Sequence, residues 1–211
     1  MSDQYGPLTQ AVIDGNADLT NALVQAALAQ GQAPRDILEG ALLPGMEVVG
    51  QRMKSGECFI PEVLLSARVM QGALDTLRPL LGEGEGGGLG TVIIGTVEGD
   101  LHDIGKNLVG MMLSGAGFEV VNLGTGVTTQ QCVAAVTEHG ASIVGMSALL
   151  TTTIPRMKET IDALAAAGLR DKVKIMIGGA PVTQAFADEI GADGYGANAG
   201  AAVDGAKALV K

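Results

Sequence analysis

Two side chains raise the first chemical question: Asp100 and His102, set two residues apart in Glu98-Gly-Asp-Leu-His-Asp-Ile-Gly-Lys-Asn107. A histidine that binds a metal through one ring nitrogen commonly donates its other N–H to a carboxylate, which sets the tautomer and the ring's donor strength. An aspartate two residues upstream on a loop can be that acceptor. Gly105 would let the backbone pass close to a flat ligand at a helix start. One protein ligand is too few for a bare zinc or iron site. A single histidine makes sense where a macrocycle supplies the other ligands. Alone, an Asp-x-His pair is more often a surface or capping pair, so the reading depends on what surrounds it.

What surrounds it is an alternating pattern. Apolar runs over 91–96, 118–123, 142–147 and 173–177, with a short one near Gly194, read as strands. Between and after them, helices are expected over 105–114, 130–139, 155–167, 183–190 and 200–210. Five strands alternating with helices imply a parallel sheet covered on both faces, and a doubly wound, flavodoxin-like topology. Ligands of such sheets sit at the carboxyl ends of the strands. Three segments follow strand ends there: the Asp100 loop, Ser147-Ala-Leu-Leu-Thr-Thr-Thr153, and Gly178-Gly-Ala-Pro181. Ser147 alone reads as a strand end, Gly178-Gly179 alone as a turn, and His139 as a helix-terminal polar residue. Their joint placement on one sheet edge carries the argument.

Ahead of the first strand the pattern is helical. Leu8, Val12, Leu19, Leu23 and Leu28 mark residues 8–30 as helix, Asp36 is expected to cap a helix through Gly50, and Pro61 to begin another that includes Leu77. A four-helix bundle results. Gly82-Glu-Gly-Glu-Gly-Gly-Gly88 reads as a linker, dividing the chain into domains 1–88 and 89–211. The fold class is therefore α/β with an N-terminal helical bundle.

Composition narrows the function. A net charge of −10 argues against DNA, RNA or an anionic membrane as partner, since each demands a basic face. Cys58 and Cys132 form no CxxC pair and suit a reducing compartment. No leader pattern opens the sequence and no apolar run could span a bilayer, so a cytoplasmic protein is expected. Aromatics are only 2% of residues, so the cores must be aliphatic.

Asp100-x-His102-x-x-Gly105, followed by Ser147-x-Leu149 and Gly178-Gly179, resembles the B12-binding signature of methionine synthase and the methyltransferase corrinoid proteins. Ile37-Leu-Glu-Gly-Ala-Leu-Leu-Pro-Gly-Met46 and Gly56-Glu-Cys-Phe-Ile-Pro-Glu62 resemble that family's helical cap, so the likeness covers essentially the whole chain. The resemblance implies a cobalamin or related corrinoid, with His102 as lower cobalt ligand in place of the cofactor's own base. It implies that Asp100 holds His102 and that Thr153, where methionine synthase has Ser, continues the relay. Gly99, Leu101, Asp103, Ile104 and Gly105 would flank the corrin. Ser147, Leu149, Thr151, Gly178, Gly179 and Ala199 would meet the displaced nucleotide tail. In the cap, Glu39 would reach the upper side, and Met53, Ile60 and Val63 would shield the methyl; methionine synthase has Phe at position 53.

The function so implied is a methyl carrier of one-carbon metabolism, cycling between cob(I)alamin and methylcob(III)alamin. Its partners would be a substrate-specific methyltransferase, a second methyltransferase to coenzyme M or tetrahydrofolate, and a reductive activase, with no nucleic acid and no membrane. The cap would swing away to expose cobalt, with the glycine linker either its hinge or a passive tether. No substrate pocket is evident, so a carrier subunit rather than a complete enzyme is expected. The alternative is a B12-dependent sensor or regulatory module without catalysis of its own. Mutase B12 subunits usually lack the helical cap. A flavodoxin would need a phosphate loop where Glu98 and Asp100 stand.

Overall fold

The computed structural model describes residues 5–81 and 89–210, so the Gly82–Gly88 stretch expected as a linker lies outside the described residues. They form two compact units: one of residues 5–81 with Ser114–Gly117, the other of residues 89–113 and 118–210.

The helical unit differs from expectation in two places. Residues 8–30 are not one helix but α1 (Gly6–Ile13) and α2 (Ala17–Ala29). The break falls at Gly15, with φ +65°, and at Asn16, whose side chain caps α2 by accepting the Leu19 N–H at 3.1 Å. Nor does Asp36 cap the next helix. Ala33 holds that position, Pro34 starts α3 (Pro34–Ile37), and Asp36 sits in its first turn. A π-helical turn, Leu38–Leu42, then leads without a break into α4 (Leu43–Ser55), which stops at Gly56 with φ +79°. Pro44 explains the widened turn: it has no N–H to give, and its ring would crowd the Gly40 carbonyl of a regular helix. Then comes α5 (Ile60–Leu77), with Pro61 near its start as expected. Leu8, Val12, Val24, Ile37, Leu42, Met70 and Leu77 are buried together as the aliphatic core of this unit.

The second unit is a five-stranded, wholly parallel sheet: β1 (Thr91–Thr96), β2 (Glu119–Asn122), β3 (Ile143–Ser147), β4 (Lys174–Gly178) and β5 (Gly194–Gly196). The helices α6 (Ile104–Gly115), α7 (Thr129–His139), α8 (Pro155–Ala166), α9 (Gln184–Ile190) and α10 (Ala199–Leu209) alternate with them. Strand order is β2-β1-β3-β4-β5, so the order reverses between β1 and β3, where ligands of open sheets bind. The register lines up Thr96, Ser147, Gly178 and Gly196 in one row across four strand ends.

Strand alternation separates the two faces. Ile93, Val144 and Ile175 pack with Cys132, Val136, Leu164 and Ile190 of α7, α8 and α9 in a closed core. Val92, Ile94, Ile143 and Met176, with α6 and α10, instead line a cavity of about 590 Å³. Among the described residues, no helix is long and apolar enough to cross a membrane.

Candidate functional site

The site begins at the end of β1. Gly99, at φ +83°, turns the chain so that Asp100 folds back under the sheet edge, fully buried. A buried carboxylate needs donors, and this one has five. Oδ1 accepts the His102 backbone N–H at 3.1 Å and lies 2.6 Å from His102 Nδ1. Oδ2 accepts the backbone N–H groups of Leu149 and Leu150 at 2.7 and 3.1 Å, and stands 3.0 Å from Thr153 Oγ1. Burial by itself would raise the Asp100 pKa. The Leu149 N–H, the His102 ring and the His102 and Leu150 N–H groups outweigh it and hold the carboxyl well below the usual carboxylate range.

An ionised acceptor at 2.6 Å from Nδ1 fixes the proton there, which leaves the Nε2 lone pair free. The ring is half exposed, so Nε2 is available to a ligand. The main chain is tied as well. Buried Thr96 donates its hydroxyl to the His102 carbonyl at 2.8 Å, anchoring the loop to the end of β1. Thr96 was not among the residues expected from sequence; a threonine at a strand end has no pattern of its own. The Thr153 hydroxyl also lies 2.9 Å from the Leu150 carbonyl, so its single proton serves either that oxygen or Asp100.

Of the expected site residues in this unit, Leu101, His102, Asp103, Ile104, Gly105, Ser147, Leu149, Gly178, Gly179 and Ala199 line the cavity. Asp100 and Thr153 lie behind it as supports. Gly99 and Thr151 are exposed and do not line it. The expected list did not include Val92, Ile94, Leu108, Val109, Leu113 and Met176, which form most of the apolar wall. Their strand and helix patterns read equally well as core. Gly179 adopts φ +129°, and a Cβ there would sit 1.8 Å from the Ala148 carbonyl oxygen, so only glycine fits.

In the helical unit, Glu39 lies in the π-helical turn and pairs with Arg35 at 2.8 Å. Met53 is half-buried, Ile60 exposed and Val63 buried.

A B12 binding domain model matches residues 90–204, and a second model of that description matches residues 6–78. The chain belongs to the B12-binding domain family. It is 45% identical over 200 residues to a corrinoid protein of Desulfitobacterium hafniense (strain Y51), covering 93% of each chain. It is likewise 45% identical to the dimethylamine corrinoid protein of Methanosarcina barkeri, over 96% of this chain and 95% of that one. Its structure matches the methanol:cobalamin methyltransferase complex of Methanosarcina barkeri with a TM-score of 0.87 and 33% identity, over 99% of this chain and 80% of that one.

The residues present fit a corrinoid. His102 offers one nitrogen donor, and the described residues contain no group of three His, Cys, Asp or Glu that could hold a metal ion, so the remaining ligands must come with the cofactor. Leu101 and Ile104, close to His102 in sequence, are 78% and 85% exposed and leave apolar surface that a flat ring could cover. Covering each is worth about 1.5–3 kcal/mol. A Cβ on Gly105 would meet nothing within 4 Å, so no packing within the chain demands glycine there. The open backbone leaves room for a ring pressed against it.

Proposed function

We propose that this chain is a methyl-carrying corrinoid protein of a multicomponent methyltransferase system. The observation that carries the reading is the buried Asp100 carboxylate, which locks the proton on His102 Nδ1 and leaves Nε2 free beside the cavity. When bound, the corrinoid supplies a cobalt ion whose upper face takes up and releases a methyl group. His102 Nε2 would hold that cobalt as the protein's ligand, and Asp100 would orient the imidazole that donates to it. Thr153 sets its hydroxyl 3.0 Å from the same carboxylate and so helps hold Asp100 in place beside His102.

The other residues hold or shield the group. Gly99, Leu101, Asp103, Ile104 and Gly105 form the lower platform. Ser147, Leu149, Gly178, Gly179 and Ala199 receive the nucleotide tail, with the apolar wall from Val92 to Met176 as the rest of its slot. In the helical unit, Glu39 serves the upper side, and Met53, Ile60 and Val63 shield the methyl. The partners are a donor-specific methyltransferase, a second methyltransferase to coenzyme M or tetrahydrofolate, and a reductive activase. The working compartment is the cytoplasm. Dimethylamine and methanol, named in the relatives, indicate a small methylated compound as donor.

The test is reconstitution with hydroxocobalamin. Wild type retains the cofactor through gel filtration with the spectrum of an imidazole-ligated, base-off form. His102→Ala gives a base-off spectrum without imidazole and binds about 10- to 100-fold more weakly. If the two proteins bind and absorb alike, His102 is not the axial ligand.

A further inference from the structure

Lys106 is a buried cation that the carrier chemistry does not use. It is 3% exposed, in the first turns of α6, and its side chain borders the cavity. Among the described residues, no carboxylate comes within ion-pairing distance of its ammonium. Nζ instead donates to two amide oxygens, Asn107 Oδ1 at 2.6 Å and Asn122 Oδ1 at 2.8 Å. Burial pushes its pKa down, and nearby Asp103 partly restores it. Burying an ammonium against neutral amides is unfavourable unless the arrangement serves something else.

The amides show what it serves. Asn107 Oδ1 accepts both from Lys106 and from Asn122 Nδ2, the latter at 3.1 Å. With its oxygen so committed, Asn107 must turn Nδ2 the other way, where it donates to Asp103 Oδ2 at 2.9 Å. Asn122 Oδ1 is fixed in turn by the Gly124 N–H at 3.0 Å. The chain of contacts therefore runs from the end of β2, through the lysine, to the residue that directly follows His102. With Thr96 on the His102 carbonyl and Asp100 on its ring, this is a third tie on a loop whose own side chains are largely exposed.

We infer that Lys106 is a positioning residue for the axial histidine: its ammonium fixes the Asn107 amide so that Asn107 holds Asp103 and sets the loop bearing His102. Without the cation, Asn107 Oδ1 keeps only the 3.1 Å bond from Asn122 Nδ2, and the amide is held less firmly against flipping. Once flipped, its oxygen would face the Asp103 carboxylate, and the loop would lose that tie. The inference rests on the reading of His102 as the metal ligand.

The test uses the full chain reconstituted with hydroxocobalamin, comparing wild type, Lys106→Met, Asn107→Ala and His102→Ala. Lys106→Met keeps most of the side chain's volume and removes only the charge and donors. The expected result is a fall of about tenfold in the equilibrium constant for histidine ligation, read from the visible spectrum of folded, cofactor-loaded protein. In the unloaded protein, the Asn107 side-chain amide and His102 ring resonances should shift in nitrogen-15 spectra. A lysine that only stabilised the fold would lower the melting temperature and leave the ligated fraction unchanged, and that result would overturn the inference. If Lys106→Met does not fold, Asn107→Ala decides, since it cuts the tie to Asp103 and leaves Lys106 on Asn122; full ligation there would likewise overturn it. If wild type itself matches His102→Ala, the axial assignment fails instead.

Discussion

The two units hold their candidate residues by different physics. In the α/β unit, Asp100 is buried and fixed by five donors, and glycine geometry at Gly179 is dictated by backbone contact. In the helical unit, Glu39 is exposed with an exposed arginine as partner, and Met53, Ile60 and Val63 are apolar side chains with no directional demand. A site built from buried hydrogen bonds tolerates almost no substitution, because each lost partner leaves a desolvated polar group. A site built from apolar contact tolerates exchange at similar volume. The α/β unit should therefore be brittle and the helical unit forgiving.

Five measurements test that contrast, the most damaging substitution first. Gly179→Ala forces a Cβ into the Ala148 carbonyl at φ +129°. Backbone strain and overlap together should remove about 4 kcal/mol of unfolding free energy in urea, or abolish folding. Asp100→Ala takes the acceptor from the Leu149, Leu150 and His102 N–H groups and the His102 ring, and should lose about 3 kcal/mol by the same assay, with histidine ligation weakened about 10- to 100-fold.

The third measurement compares the two cysteines. Burial pushes Cys132 in α7 from 9.0 up to about 11. Its folded pKa lies above the unfolded value, so its contribution is fully present below pH 9 and is lost as pH rises toward about 11. That loss should be about 2.7 kcal/mol, absent from the alkaline stability profile of Cys132→Ala. Cys58 is only half-buried, so an alkylating reagent should modify it before Cys132 in folded protein.

The last two concern the helical unit. Gly72 lies inside α5, and a Cβ there would meet nothing within 4 Å. Gly72→Ala should raise stability by about 0.5–1 kcal/mol, opposite in sign to Gly179→Ala. Glu39→Gln removes only an exposed ion pair and should change stability by less than about 0.5 kcal/mol. A large loss there would erase the distinction between the units.

Much of this was legible in the residues. The strands lie within a residue or two of their apolar runs because a sheet covered on both faces demands continuous Val and Ile. The Asp100–His102 contact was legible because the two side chains are close in sequence. Other parts were hidden for physical reasons. The donors from Leu149 and Leu150 are backbone groups and carry no residue signature. The Lys106–Asn107–Asn122 cluster joins α6 to the end of β2, and parallel pairing sets that contact. The Asp14-Gly15-Asn16 turn was visible as letters, but the apolar period through residues 8–30 masked it. In the next helix, Pro34 at the first position placed the cap one residue before it, at Ala33, although Asp36 is the better capping side chain.

The most direct test of the account is electron paramagnetic resonance of the corrinoid-loaded protein in its cobalt(II) state, grown with histidine labelled by nitrogen-15. If His102 Nε2 is the axial donor, the superhyperfine pattern changes from the triplet of ordinary nitrogen to the doublet of the heavier isotope. A triplet that persists after labelling, as the cofactor's own base would give, contradicts it.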